Sequence, residues 1–156
     1  MSDKKNKIVA VCGGFDPFHL GHLEHLRKAK ELGEMLVVIL NPDDDVIKKR
    51  GVVFMPMGQR YEILKAIKYV DEVIIAIDGD GTVAKTLLWL KPNILAKGGD
   101  RTSSNMPRNE IEACKKIGCE IVYKVGDQLE SSTSILKRFK KYEGEIQHKP
   151  SGGDFI

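Results

Sequence analysis

The chain has 156 residues, 42% of them hydrophobic and 6% aromatic, which predicts one globular domain with a core of ordinary size. Basic and acidic residues nearly balance, 25 against 22, for a net charge of +3, so the composition does not favour nucleic acid as a partner. No apolar run approaches the length of a membrane span, and the polar start lacks the apolar segment of a signal peptide. The chain has three cysteines without metal-ligand spacing, Cys12, Cys114 and Cys119, which favours reduced thiols. We therefore expect a cytoplasmic protein with no membrane partner.

The first predicted strand covers residues 7–12, where the apolar run IVAVC is rich in β-branched residues. Gly13 and Gly14 follow it, and the lack of side chains there lets the backbone pass close to a bulky ligand. Asp16-Pro17 then turns the chain, because the residue before a proline disfavours helical geometry. An apolar stripe predicts the first helix over residues 20–32.

Two histidines stand at the start of that helix. His19 and His22 are three residues apart, which places both imidazoles on one face of the first turn. The free N–H groups and the dipole of a helix N-terminus favour anions there. The segment therefore predicts a phosphate site at the end of the first strand, whereas the alternative is a buried turn whose histidines only cap the helix.

The same segment carries a family resemblance. GFDPFHLGH, from Gly14 to His22, resembles the GxFDxxHxGH signature of the nucleotidyltransferase superfamily, whose members join nucleoside monophosphates to small phosphorylated molecules. The strand–turn–helix context agrees with that signature. The resemblance implies that Phe15, Asp16 and Gly21 belong to the nucleotide site, with Asp16 shaping the turn rather than transferring a proton.

A second apolar run, residues 35–40, predicts a strand buried on both faces. The next segment, 41–60, is predicted to be a long functional loop. It holds an acidic run and a basic run in which Lys48 and Lys49 are placed to reach phosphates, although such runs are also typical of a solvated surface. Arg60 lies in the first turn of a helix predicted over 57–69, where a cation is unfavourable unless it serves a ligand; the alternative is a surface arginine.

The third strand is predicted at 73–77, and the turn after it, Gly79–Ala84, fits the GxGxxA pattern of dinucleotide-binding proteins. However, Asp78 and Asp80 bracket this turn, and two carboxylates would repel a pyrophosphate. The turn also fails as a calcium loop, because residues of the wrong type occupy its glycine and glutamate positions. We therefore interpret it as a turn that caps a helix over 82–90.

The remaining chain predicts a strand at 93–96, a helix at 108–117, a strand at 120–125 and a helix at 132–142. A second glycine pair, Gly98 and Gly99, follows the fourth strand and is flanked by Lys97 and Asp100. This turn is suited to contact a ligand through its backbone and its charged side chains. Three hydroxyl residues precede the last helix, where they act either as an ordinary N-cap or as a phosphate cradle: Ser131, Ser132 and Thr133.

Five strands alternating with helices predict a Rossmann-like, doubly wound parallel sheet in a single α/β domain. The domain is predicted over residues 1–142, followed by a polar tail at 143–156. The strand order 3-2-1-4-5 is implied by the resemblance. Because the carboxyl ends of parallel strands meet at one edge, the two glycine turns and the hydroxyl cap are expected to converge there.

Within the superfamily the chain resembles the cytidylyltransferase-like branch over nearly all of residues 7–140. LKPNILAKGGD is similar to the nucleotidyltransferase domain of enzymes that make ADP-heptose from heptose 1-phosphate, and glycerol-3-phosphate cytidylyltransferases are the next most similar. Gly126 or Asp127 stands where the glycerol-phosphate enzymes place an arginine, and Glu130 also departs from the usual pattern.

The resemblance implies that a phosphate oxygen of a small sugar or polyol phosphate attacks the α-phosphorus of ATP or CTP, and pyrophosphate leaves. It favours a D-glycero-D-manno-heptose 1-phosphate adenylyltransferase, with a glycerol-3-phosphate cytidylyltransferase as the alternative. The catalytic residues would be His19, His22 and Lys49. Mg²⁺ would travel with the triphosphate, since no dedicated metal cage is apparent. Residues of 41–60 and 97–108 would line the acceptor pocket, and a homodimer is possible. Two rival hypotheses are a non-catalytic nucleotide-binding module and a dinucleotide-dependent enzyme using Gly79–Ala84.

Overall fold

The computed structural model describes residues 4–99 and 101–146, so the predicted site residue Asp100 and the end of the predicted tail lie outside the described residues. Within those ranges, no helix is long and apolar enough to cross a membrane. The elements in chain order are β1 (Ile8–Gly13), α1 (Leu20–Lys30), β2 (Met35–Leu40), α2 (Asp43–Arg50), α3 (Met57–Ala66), β3 (Glu72–Ile75), α4 (Ala84–Leu90), β4 (Ile94–Ala96), α5 (Arg108–Ile117), β5 (Glu120–Val122) and α6 (Ser132–Ile146).

The five strands form one sheet in the order β3-β2-β1-β4-β5, and all its pairings are parallel. This confirms the predicted fold class and strand order. Alternate residues of β1 serve opposite faces of the sheet: Val9 and Val11 join one core cluster with Leu26 of α1, while Ala10 joins the other with Leu87 of α4. Helices therefore cover both faces, which leaves the carboxyl edge of the sheet open for a site.

The segment 41–60 is not the loop that its charges suggested. Residues Asp43–Arg50 form α2, which has Asp43, Asp44 and Asp45 in its first turn and three basic residues in its last turn. This order of charge matches the helix dipole at both ends. Gly51, with a φ of 85°, ends the helix in the left-handed conformation. The predicted loop was therefore wrong over residues 43–50.

Element ends differ more modestly from the predictions. The helix predicted over 57–69 ends at Ala66, and the last strand ends at Val122 rather than residue 125. The final helix continues to Ile146, so the segment predicted as a tail begins inside α6. These differences follow from fraying and packing at element ends, which local pattern resolves poorly.

Candidate active site

A cavity of about 710 Å³ opens at the carboxyl edge of the sheet, between the β1–α1 turn, α2, the turn after β4 and the start of α6. Nearly all predicted site residues of the described chain line it: Gly13, Gly14, Phe15, Asp16, His19, Gly21, His22, Lys48, Lys49, Lys97, Gly98, Gly99, Ser131, Ser132 and Thr133. Arg60 is the predicted residue that does not. The predicted convergence of the two glycine turns and the hydroxyl cap is therefore confirmed.

His19 and His22 form a reciprocal cap at the start of α1. The backbone N–H of His22 donates to Nδ1 of His19 at 3.4 Å, and the backbone N–H of His19 donates to Nδ1 of His22 at 3.3 Å. Their rings stack with centroids 3.7 Å apart and an angle of 19° between planes. Capping and cavity lining, which the sequence presented as alternatives, thus occur together in the same two side chains.

The capping bonds decide where the imidazole hydrogens lie. Because Nδ1 of each ring accepts a hydrogen bond, the hydrogen of a neutral ring is on Nε2. Burial lowers the pKa of His22 to about 3, with further lowering by His19, His25 and Arg50. Burial also lowers the pKa of His19, partly opposed by Glu130. At neutral pH both rings of the free protein are therefore neutral, and each has one Nε2–H donor.

His25, one turn beyond His22 on α1, also lines the cavity, although the predicted site residues did not include it. Its Nδ1 lies 2.7 Å from the carbonyl oxygen of Val125, so this ring holds its hydrogen on Nδ1. A Cβ on Gly98 would lie 2.8 Å from that ring, so the glycine is needed for close approach. The three-residue spacing of His19, His22 and His25 was the available signal.

Asp16 shapes the turn, as predicted. Its carboxylate is 1% exposed and accepts from the backbone N–H groups of Phe54 at 2.8 Å and Met55 at 2.7 Å. The carbonyl oxygen of Asp16 accepts from Arg50 and from the Ser132 hydroxyl. The residue therefore ties the β1–α1 turn to the chain after α2 and to the start of α6.

Arg60 is neither a surface residue nor a lining residue. Its side chain is fully buried, and its guanidinium donates to the carbonyl oxygens of Gly14 at 2.7 Å, Asn41 at 2.8 Å and Met55 at 2.7 Å. It also pairs with Asp43 at 2.6 Å. The expected nucleotide contact is thus replaced by a supporting role: all these acceptors belong to the protein, and they hold the glycine turn against α2.

Several cations line the cavity. Lys97 is 8% exposed, donates to Sγ of Cys12 at 3.2 Å and lies 3.7 Å from Glu110. Burial lowers the pKa of Lys49, and the nearby cations, first of all Arg101, lower it further. Lys48 donates to the carbonyl oxygen of Gly79 at 3.1 Å. This concentration of positive charge provides an electrostatic reason for an anion to enter the cavity.

The hydroxyl segment at the start of α6 faces the histidines. Ser131 Oγ accepts from the backbone N–H of Ser134 at 3.1 Å, which is the bond of an N-cap. Gly21 lets α1 approach this segment, since a Cβ there would lie 2.6 Å from the carbonyl oxygen of Glu130. A helix N-terminus and hydroxyl groups therefore stand opposite the imidazole pair.

The sequence matches the cytidylyltransferase-like family over residues 10–143. The chain belongs to this family. It is 43% identical over 101 residues to the FAD synthase of Pyrococcus horikoshii, covering 64% of this chain and 67% of that protein. It is 36% identical over 134 residues to the bifunctional protein HldE of Pelobacter propionicus, covering 85% of this chain but only 27% of that protein.

Among solved structures, the lipopolysaccharide core biosynthesis protein of Thermoplasma volcanium superposes with a TM-score of 0.64. It is 27% identical, and the match covers 80% of this chain and 98% of that one. Family and fold agree, so the protein is a nucleotidyltransferase and a nucleotide is its partner. The transfer of a nucleotidyl group needs no protein nucleophile, only positioning and charge stabilisation, which the cavity's donors can supply.

The turn after β3 behaves as predicted for a cap. Asp78 accepts from the backbone N–H of Thr86 at 3.1 Å and from its hydroxyl at 2.6 Å, which holds the start of α4. Asp80 accepts from the backbone N–H of Thr82 at 2.8 Å. The carboxylates thus occupy the donors that a dinucleotide pyrophosphate would need. Gly81, Thr82 and Val83 form part of the cavity lining instead.

The described residues contain no cage for a metal ion. No group of three or more histidine, cysteine, aspartate or glutamate side chains among them is arranged to hold a metal ion. Enzymes that transfer nucleotidyl groups from triphosphates generally use a divalent metal. Within the described part of the chain, the predicted Mg²⁺ would therefore depend on the triphosphate for most of its ligands.

Proposed function

We propose that this protein is an adenylyltransferase that transfers AMP from ATP to the phosphate of FMN, forming FAD and pyrophosphate. The observation that carries the proposed chemistry is the stacked pair His19–His22, which lines the cavity at the start of α1 and whose capping bonds at Nδ1 leave each Nε2 as the donor. The identity to FAD synthases of archaea, 43% in the Pyrococcus horikoshii protein, supports ATP and FMN as the substrates.

In the proposed reaction, an oxygen of the acceptor phosphate attacks the α-phosphorus of the triphosphate. One P–O bond forms, the bond between the α-phosphorus and its bridging oxygen breaks, and pyrophosphate leaves with the electron pair. His19 and His22 donate through Nε2 to phosphate oxygens on which charge develops. Neutral donors on a preformed scaffold provide this stabilisation without reorganisation.

The other predicted site residues fit supporting roles. Lys49, whose side chain lines the cavity among other cations, is proposed to hold phosphate oxygens during transfer. The hydroxyl residues Ser131–Thr133 and the start of α6 are proposed to bind the β- and γ-phosphates. Mg²⁺ arriving with ATP would be held mainly by phosphate oxygens and water.

A second acceptor is heptose 1-phosphate, which would make the protein a heptose 1-phosphate adenylyltransferase. The match to HldE supports it, because that match covers 85% of this chain. Transfer from CTP to glycerol 3-phosphate is the third pairing, and the departure at Gly126 and Asp127 argues against it. The homodimer and the cytoplasmic location remain predictions.

One assay decides among these reactions. Pyrophosphate release is measured with ATP and with CTP, each combined with FMN, heptose 1-phosphate and glycerol 3-phosphate. We expect release with ATP and FMN, and FAD is identified in the product by chromatography. Release only with a different pair would replace the proposed substrates. Nucleotide binding without release from any pair would overturn the enzymatic proposal and favour the non-catalytic module.

A further inference from the structure

One oxygen of a buried carboxylate in the cavity wall lacks a hydrogen-bond partner. Glu110, near the start of α5, is 4% exposed, and its Oε2 accepts from the backbone N–H of Val83 at 3.1 Å. Its Oε1 has no hydrogen-bond partner within the described part of the chain. Glu110 is among the residues that line the cavity, but Oε1 itself has almost no exposed surface, so a bound molecule reaches it only if a side chain of the cavity wall moves. An unsatisfied buried acceptor is costly, so a site that keeps one is expected to satisfy it with ligand.

The nearest opposite charge is Lys97, at the end of β4. Its Nζ lies 3.7 Å from Oε1 of Glu110, which is too long for a hydrogen bond. The ammonium donates one hydrogen to Cys12, which leaves others available. Burial acts to lower the pKa of Lys97, but Cys12 and Glu110 outweigh it and raise that pKa, so the ammonium keeps its charge.

The 3.7 Å separation leaves no room for an atom between the two groups, but an atom beside them, off the line that joins them, would lie about 2.8 Å from both, a normal hydrogen-bond length for each. That atom must accept from an ammonium and donate to a carboxylate. A hydroxyl does both, whereas a phosphate oxygen has no hydrogen to donate and a carboxylate repels it. The pair is therefore suited to a hydroxyl group and unsuited to the phosphates elsewhere in the cavity.

We propose that Lys97 and Glu110 form a hydroxyl-binding subsite for the polyol part of the phosphorylated acceptor. The proposal rests on the proposed function and deepens it: the acceptor is a phosphate monoester bearing hydroxyl groups, such as the ribityl chain of FMN. It also moves Lys97 from the predicted nucleotide contacts to the acceptor. Glu110 bonds to Val83 and Lys48 bonds to Gly79, so both contact the segment between β3 and α4, and Lys97 lies beside Glu110.

The first test is steady-state kinetics of Glu110→Gln with ATP and FMN. Glutamine can keep the bond to the Val83 N–H through its oxygen, but it then presents an NH₂ group where the carboxylate accepted. We expect the KM for FMN to rise at least about tenfold, the size of a lost hydrogen bond to a charged group, with the KM for ATP changed less than about twofold. Glu112→Gln is the matched control, because Glu112 lies on the exposed side of the same helix paired with Arg108.

The second test keeps the wild-type chain and changes the acceptor. FMN analogues that lack one ribityl hydroxyl each are compared with FMN. We expect at least one analogue to lose about tenfold in kcat/KM with the wild type, and to lose nothing further in Glu110→Gln. If that variant does not fold, the analogue series alone decides, since equal rates for all analogues would overturn the subsite.

The outcomes separate the two proposals. An active wild type whose folded Glu110→Gln variant keeps its KM for FMN overturns the subsite and leaves the function standing. A wild type that transfers AMP to heptose 1-phosphate instead is tested in the same way with deoxy forms of that sugar. A wild type that releases no pyrophosphate with any acceptor overturns the function, and the subsite falls with it.

Discussion

Two glycine-containing turns leave the same edge of the sheet, one from β1 to α1 and the other from β3 to α4. Both resemble phosphate-binding turns in sequence. At α1 the cap is the neutral imidazole of His19, and at α4 the cap is the carboxylate of Asp78. The first turn also has two neutral imidazoles in the cavity lining, whereas the second already carries the negative charge that its helix favours.

We infer from the difference that a helix N-terminus and two glycines are not sufficient for an anion site, because carboxylates already accept from the donors of the second turn. The charge of the capping group decides whether the helix end is available to a ligand. The two turns also differ in their support, since the buried guanidinium of Arg60 donates to the carbonyl oxygen of Gly14 in the first turn. Each prediction below alters one side of this comparison.

The largest effect is expected from Arg60→Met. The change removes the donors that satisfy three backbone carbonyls and leaves Asp43 without its buried partner. The free energy of unfolding should fall by about 3 kcal/mol or more, measured by urea denaturation. Arg108→Met, at an exposed arginine, should change it by less than about 0.5 kcal/mol. Equal stability of the two variants would remove Arg60 from its supporting role.

His22→Ala should lower kcat at least about a hundredfold, the size of a lost oxyanion donor. The fold should persist, because the loss concerns one cap and one ring at the cavity wall. Pyrophosphate release and the far-ultraviolet circular dichroism spectrum check the two statements. Near-normal turnover in the purified variant would show that the stacked imidazoles only cap the helix.

Two adjacent lysines on α2 lie between the turns and provide a matched pair. Lys49→Met should lower kcat/KM about tenfold to a hundredfold, the size of one charge-assisted hydrogen bond to phosphate. Lys48→Met should cost less than about tenfold, because its ammonium already donates to Gly79 of the second turn. A larger loss at Lys48 than at Lys49 would reverse the proposed roles.

The depressed pKa of His22, about 3, makes stability depend on pH. Between that value and about 6.5 the unfolded chain binds a proton at this residue and the folded chain does not, so stability falls as pH is lowered. The contribution is up to about 1.4 kcal/mol for each pH unit. Denaturation of the wild type and His22→Asn at several pH values should show a flatter dependence in the variant, and identical slopes would contradict a neutral buried ring.

The smallest effect is expected from Asp78→Ala at the second turn. Loss of the cap of α4 should lower the free energy of unfolding by about 1 kcal/mol. Because Asp78 faces its own helix, kcat should stay within about twofold of the wild type. A large loss of turnover at unchanged stability would mean that the second turn also serves the reaction.

The sequence alone determined the fold class, the carboxyl edge as the place of the site, and most of the lining residues. Apolar runs of strand length, helical spacing and the His19–His22 pair are local signals, because the period of a strand or helix appears within a few residues. The resemblance of the segment Gly14–His22 added the strand order and the chemistry of nucleotidyl transfer.

Only the tertiary structure decided the rest. It formed α2 from two charge runs, buried Arg60 behind the glycine turn, and brought Glu110 to within 3.7 Å of Lys97. Each of these features depends on residues distant in sequence. The sequence around a charged residue does not indicate whether its partner is water, a carbonyl oxygen or a carboxylate. The burial of the side chain determines which of these partners it has, and burial depends on the tertiary structure as a whole.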